Sequence, residues 1–292
     1  MTQADTAKMK ASNRRAGRKI GGTVAIFIVL SVLGLFMVLP IYLTIIMSVK
    51  PVEELFVFPP KMYVISPTLD NFWDMFESVR QNRVPFSRYV FNSVAVTVSV
   101  TVLQCVFASM AAFVLAKCRF PGSRLLNHVI VIALLYQSNV IYIMQYMVMS
   151  KLHLIDNPLA LILPSIASPM GLFLMRQSIS QMPDSMIEAA KVDGAGLFRI
   201  CWQIVIPNQK PALMTLIIFA FQAAWNIQAG SLVFQEQYKT LPTAVTQAAS
   251  SGMARAGVAM AAAVFMLIPP VIVFMLAQRY VIETMAHSGI KE

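Results

Sequence analysis

The chain has 292 residues, 58% of them hydrophobic and 12% charged, against about 25% charged in an average soluble domain. It has too little polar surface to face water on all sides, so a lipid bilayer is its natural solvent. The net charge of +10 invites a nucleic-acid reading, but the basic residues cluster at the ends of apolar runs rather than interleaving with aromatics on one patch, which excludes it.

Six basic residues (Lys8, Lys10, Arg14, Arg15, Arg18 and Lys19) lie in a tail over 1–20, ahead of an uncharged run over 21–49. That run exceeds the apolar core of a signal peptide, about 7–15 residues, and no small-residue cleavage site closes it early, so it reads as a retained first span. The segment 50–88 follows, with Pro51, Pro59, Pro60, Pro67 and Pro85. Phe72, Trp73 and Phe76 within it suit either an amphipathic interfacial helix or a belt of aromatics at the headgroups. A contact with a partner protein is a further expectation for this loop.

A spanning helix needs about 20 mostly apolar residues. Stretches 21–49, 89–116, 125–150, 157–175, 211–235 and 256–278 are uncharged and meet or approach that length. Each must be helical, because lipid cannot satisfy open backbone groups. The fold class expected is all-α: a polytopic membrane protein of six transmembrane helices, with a core over 89–283 and a short tail over 284–292. Pro164 and Pro169 interrupt the fourth stretch and Pro269 and Pro270 the sixth; each is either a packing bend or a flexing point.

With six spans and the N-terminus inside, the cytoplasmic segments hold 15 Lys and Arg, and the outer segments hold 8. This asymmetry orients the chain with both termini in the cytoplasm. The location implied is a bacterial cytoplasmic membrane, crossed several times.

No Asp, Glu, Lys or Arg lies well inside a span, which argues against an ion-coupled carrier, where ionisable groups sit at mid-depth. The polar groups within the spans are neutral. At 100° per residue, Ser138, Asn139, Tyr142, Gln145 and Tyr146 share one side of the third span. Asn92 lies in the second, and Trp225 and Asn226 in the fifth. Hydroxyl and amide groups beside aromatic faces suit an uncharged polyhydroxylated solute. Hydrogen bonding between helices uses the same residue types.

The chain has no GxxxxGK[ST] phosphate loop, and Gly194-Ala195-Gly196 is too short for a dinucleotide fingerprint. Cys105, Cys118 and Cys201 are scattered without metal-site spacing. His128, His153 and His287 are isolated. Neither a catalytic set nor a metal site is expected, and the chain binds no cofactor on this reading.

One polar stretch breaks the apolar pattern. Between two spans, 183–210 opens on Pro183-Asp184, with an acid near the positive end of a helix dipole. Glu188, Ala189 and Ala190 follow; Gly194 permits a turn. Phe198 and Trp202, four apart, can fill an apolar groove or pack back on the bundle. A helix facing only lipid would not require this spacing.

These residues resemble the EAA loop of type I ABC importer permeases: Glu188-Ala189-Ala190, three residues, Gly194, nine residues, Ile204, then Ile206 and Pro207, with Ile206 where the family commonly has Leu. KCRFPGSR over 117–124, the Asp193-Gly194 pair, Trp225-Asn226, Leu241-Pro242 and the run 261–281 resemble the carbohydrate-uptake group, and most closely its second maltose-type permease. The ending SGIKE and the residues after Asn226 depart from that pattern. The resemblance implies a permease subunit for an oligosaccharide, forming half of a translocation pathway. It implies three partners: a second homologous permease, a dimeric ABC ATPase that binds ATP and Mg, and an extracytoplasmic solute-binding protein. Glu188, Ala189, Ala190, Asp193, Gly194, Ile204 and Pro207 would couple to the ATPase. A peptide, amino acid or phosphate-type cargo on the same architecture is the alternative, followed by an ion-coupled secondary carrier acting alone.

Overall fold

A computed structural model of the chain describes residues 3–57, 59, 61–80, 84–135, 138–250 and 255–289, with side chains for all of these but 3–21, 78–80, 138–141 and 279–289. Every regular element among them is helical. α1 (Gln3–Ser48) runs from the basic tail through the first apolar stretch without a break. Short α2 (Val52–Leu55) and α3 (Asp70–Arg80) follow. Between them the chain folds back on itself: Glu54 accepts from the amides of Ile65 (3.1 Å) and Ser66 (2.8 Å), and these bonds hold its carboxyl below the usual range.

α4 (Phe86–Lys117) is the axis of the bundle, packed against the helices numbered α7, α8 and α11 below. It starts after an extended Pro85 and ends at an extended Cys118. Its inward face recurs every three or four residues: Tyr89, Ser93, Val96, Val100, Gln104, Ala108 and Ala112.

The third stretch, expected as one span, divides into α5 (Ser123–Ala133) and α6 (Ser138–Lys151). The fourth divides into α7 (Leu159–Ile166) and α8 (Pro169–Ser180). Its break falls at Ala167-Ser168. The residue before a proline is pushed out of the helical region, and the Ser168 hydroxyl accepts from the Gly171 amide at 3.1 Å to cap the new helix. Pro164, by contrast, lies inside α7.

The polar stretch forms α9 (Asp184–Val192) and α10 (Leu197–Asn208). α11 (Lys210–Trp225) leaves α10 at 87°. The fifth stretch was expected to stay helical to 235; α11 instead ends at Trp225, and an irregular loop runs to α12 (Leu241–Ala249). α13 (Ala256–Gly289) passes through Pro269 and Pro270 as one helix.

Among the described residues, four helices are long and apolar enough to cross a membrane: Gly22–Ser48, Phe86–Lys117, Leu159–Ser180 taken through its break, and Ala256–Gln278. The bent pair α10–α11 makes a fifth. By length and composition the described residues thus supply up to five spans; the third stretch, which would complete the six expected, is described as α5 and α6 on either side of 136–137, which lie outside the described residues.

The apolar core lies in three clusters along the bundle. One gathers the Lys117 end of α4 with α8, α9, α10 and α11. A second joins the middle of α4 to α6, α7 and the loop after α11. The third joins α3, the Phe86 end of α4, α12 and α13. There Gly257 lets Asn71 approach: a Cβ at 257 would meet Asn71 Oδ1 at 2.3 Å. Asn71 Nδ2 in turn donates to the carbonyls of Ser48 (2.9 Å) and Lys50 (2.7 Å), tying the end of α1 to α3.

Candidate functional site: the α9–α10 surface

α9 is amphipathic over nine residues. Ile187 and Ala190 turn into the core beside Ile179, Met182 and Ile200. Glu188 and Ala189 face outward.

The helix ends in a Schellman motif. The Gly194 amide donates to the Lys191 carbonyl and the Ala195 amide to the Ala190 carbonyl, both at 3.0 Å. That closure needs a left-handed residue, and Gly194 supplies it at φ 79°. Ala190 serves as the small residue against which Ala195 closes the motif.

α10 widens to a π turn over Ile200–Val205. Pro207 lacks an N–H, and its ring presses on the carbonyl four residues back; the wider turn just before it relieves that clash. Ile200, Val205 and Ile206 are buried, Ile204 is half-buried and Pro207 is exposed. Ser178 and Gln209 are hydrogen-bonded where α10 bends into α11.

The outward face of this unit is unusually apolar for a polar segment. Val192 is 87% exposed and Phe198 69%, with Met186 and Leu197 beside them. Phe198 lies against Trp202 at 6.3 Å between ring centroids, so of the two aromatics only Trp202, half-buried, packs back on the bundle. The outward surface of the two helices, the ridge, carries Met186, Ala189, Val192, Leu197 and Phe198, with Glu188 and Asp193 among its exposed acids.

Lys117 joins α4 to this ridge. Its ammonium donates to the Met182 carbonyl (2.5 Å) and to Asp184 Oδ1 (2.6 Å). The lysine is 7% exposed and the aspartate 75%. The Lys117 bond holds the Asp184 carboxyl below its usual range. Nothing in the linear pattern marked this contact, although Lys117 opens the 117–124 motif. Its signal was a cation at the end of an apolar helix and an acid at the start of the polar segment 183–210.

Of the eight residues considered for a solute pathway, six have described side chains, and several of these are engaged with the protein itself. Asn92 Nδ2 donates to the carbonyls of Gln237 (2.8 Å) and Lys239 (3.0 Å). Tyr142 Oη accepts from the Ser231 amide at 2.8 Å and meets the Ser231 hydroxyl at 3.0 Å. Trp225 is buried, donates from Nε1 to the Met266 carbonyl at 3.0 Å and stacks on Phe221. Asn226 is exposed and donates to the Gln222 carbonyl at 2.8 Å. Gln145 lines an open cavity of about 580 Å³ between α5, α6 and the α7–α8 break, and Tyr146 is exposed. The side chains of Ser138 and Asn139 lie outside the described residues.

The loop after α11 is pinned from several sides. Asp156 Oδ1 accepts from the amides of Phe234 (2.5 Å) and Gln235 (2.8 Å). The Ser93 hydroxyl accepts from the Leu241 amide (2.7 Å), and Tyr89 donates to Glu236 (2.9 Å). The sequence patterns missed these bonds, because each joins residues far apart along the chain.

A family model described as a binding-protein-dependent transport system inner membrane component matches residues 16–287. The sn-glycerol-3-phosphate transport system permease protein UgpE of Yersinia enterocolitica is 32% identical over 225 residues, 72% of this chain and 76% of that protein. The arabinooligosaccharides transport system permease protein AraQ of Bacillus subtilis is 28% identical over 267 residues, 91% of this chain and 93% of its own. Among solved structures, a chain of a bacterial ABC transporter involved in the import of the acidic polysaccharide alginate superposes with a TM-score of 0.73 at 23% identity, covering 90% of this chain and 96% of that one. At that identity the likeness carries the fold.

Proposed function

The chain belongs to the family of binding-protein-dependent transport system inner membrane components, and from that premise we propose that it forms half of the pathway of an oligosaccharide importer driven through its α9–α10 ridge by a separate ATPase. It is a multi-pass permease subunit, not an enzyme. A second permease would complete the pathway, an extracytoplasmic binding protein would deliver the solute, and ATP with Mg would be held by a dimeric ATPase. The Lys and Arg count supports a topology with both termini, and α9–α10 with them, in the cytoplasm.

The observation that carries the coupling role is the ridge itself. Met186, Val192, Leu197 and Phe198 stand out from a segment otherwise anchored in the core. Exposed apolar side chains grouped in this way mark interaction sites. Glu188 offers that partner a charge, and Gly194 fixes the turn that sets the ridge angle. Glu188→Lys and Gly194→Asp are both expected to abolish uptake while the chain still inserts. Normal uptake in both would remove the coupling role.

An oligosaccharide is favoured by the neutral polar residues of the spans and by the arabinooligosaccharide relative, which matches along most of the chain. Among the expected pathway residues whose side chains are described, Gln145, Tyr146 and Asn226 remain open to a solute. The glycerol-3-phosphate relatives support a second reading, a small phosphorylated cargo. Stimulation of ATP hydrolysis by the loaded binding protein separates the two. Turnover with an oligosaccharide alone supports the first reading; turnover with a phosphate ester or an amino acid alone overturns it.

A further inference from the structure

We infer that Lys117 is the positioning residue that makes α4 a strut between the cytoplasmic ridge and the extracytoplasmic loop 226–240, so that the state of that loop is felt at α9. The inference rests on the coupling role proposed for the ridge.

Three observations support it. First, α4 is held at both ends. At its Phe86 end, Tyr89, Asn92 and Ser93 bond to Glu236, to the carbonyls of Gln237 and Lys239, and to the amide of Leu241. At its other end the Lys117 ammonium bridges the Met182 carbonyl and Asp184.

Second, α4 has nothing to bend at. Sharp kinks arise at Pro, Gly or π turns. Of the three described helices longer than 20 residues, α1 contains Pro40 and α13 contains Pro269 and Pro270, whereas α4 has neither Pro nor Gly between Phe86 and Lys117. Its 32 residues make a rod of about 48 Å.

Third, Lys117 is placed where a cation joins two helix ends. Met182 lies just past the C-terminus of α8 and Asp184 is the first residue of α9. A cation suits the one and its carboxylate partner the other. A lysine serving only solubility would extend into water; this one is 7% exposed. Losing its charge leaves the Met182 carbonyl without that donor and frees the start of α9 from α4.

The test uses the assembled complex with its partner permease, ATPase and binding protein in proteoliposomes. In Lys117→Met, uptake and binding-protein stimulation of ATP hydrolysis are expected to fall by about ten-fold or more, a typical size for coupling between sites. Basal hydrolysis and subunit content should stay at wild-type levels, and Lys117→Arg should restore most of the stimulation. Wild-type stimulation in Lys117→Met overturns the inference, as does an equal loss in Lys117→Arg.

Should Lys117→Met fail to insert, spin labels at Val114 and Ser185 of an otherwise wild-type chain provide the test. Their distance distribution should be the same with and without ATP, and a change in it overturns the strut. Glu188→Lys separates the two ideas. If that variant, like Gly194→Asp, transports normally, the coupling role of the ridge falls. If it is inactive while Lys117→Met is normal, only the strut falls.

Discussion

At the scale of single residues, two glycines carry opposite obligations. Gly194 is required by its own backbone. At φ 79° any other residue bears the strain of the left-handed region, about 1 kcal/mol or more, yet a Cβ there would meet nothing within 4 Å. Its substitution should therefore disturb the angle of the ridge more than the stability of the bundle. Gly257 is required by its neighbour. A Cβ would strike Asn71, whose amide is already committed to two carbonyls. Gly257→Ala should cost about 1–3 kcal/mol, as overpacking does, and lower the melting temperature of the purified chain. Gly34→Ala, with open space around it, should leave the melting temperature where it was. An equal shift in both would contradict this reading of the Asn71 contact.

At the scale of elements, α9 was legible in the sequence at both ends: an acid after a proline began it, and a glycine at the expected place closed it. α4 and the apolar part of α13 were legible too, because long uncharged runs admit no other structure in lipid. The breaks were harder to see. α7 ends at Ile166, three residues before Pro169, whereas Pro164, Pro269 and Pro270 are absorbed within helices. Local sequence does not distinguish these cases, since neighbouring helices decide whether freed carbonyls are satisfied.

The bonding partners of the expected pathway residues were not legible in the sequence. Helical spacing groups Tyr142 with Tyr146, yet Tyr142 is taken up by a loop almost ninety positions away. For α10, Phe198→Ala removes an exposed ring. Stability should stay within about 0.5 kcal/mol, while affinity for the ATPase should fall by about ten-fold, as at an interface hot spot. A pull-down with the purified ATPase measures it, and undiminished binding would exclude Phe198 from the interface.

At the scale of the whole molecule, the chain reads as a rod with a handle. The ridge α9–α10 is the handle, anchored in the core through Ile187, Ala190, Ile200 and Val205 and tied to α4 through Lys117. The far end of α4 holds the loop that would meet delivered solute. Charge asymmetry is the sequence feature that supports a cytoplasmic handle in the proposed account. The physical link between handle and loop required the folded structure, because its bonds join positions up to 148 residues apart.

The central claim is that the outer face of α9–α10 is where the ATPase docks, and a photo-crosslinker at Val192 tests it most directly. Val192 is the most exposed apolar side chain of the ridge. In intact membranes a probe there should capture the ATPase subunit, while the same probe at Leu33, on the exposed flank of α1, should not. Capture of lipid alone at Val192, with the ATPase present and assembled, would contradict the account.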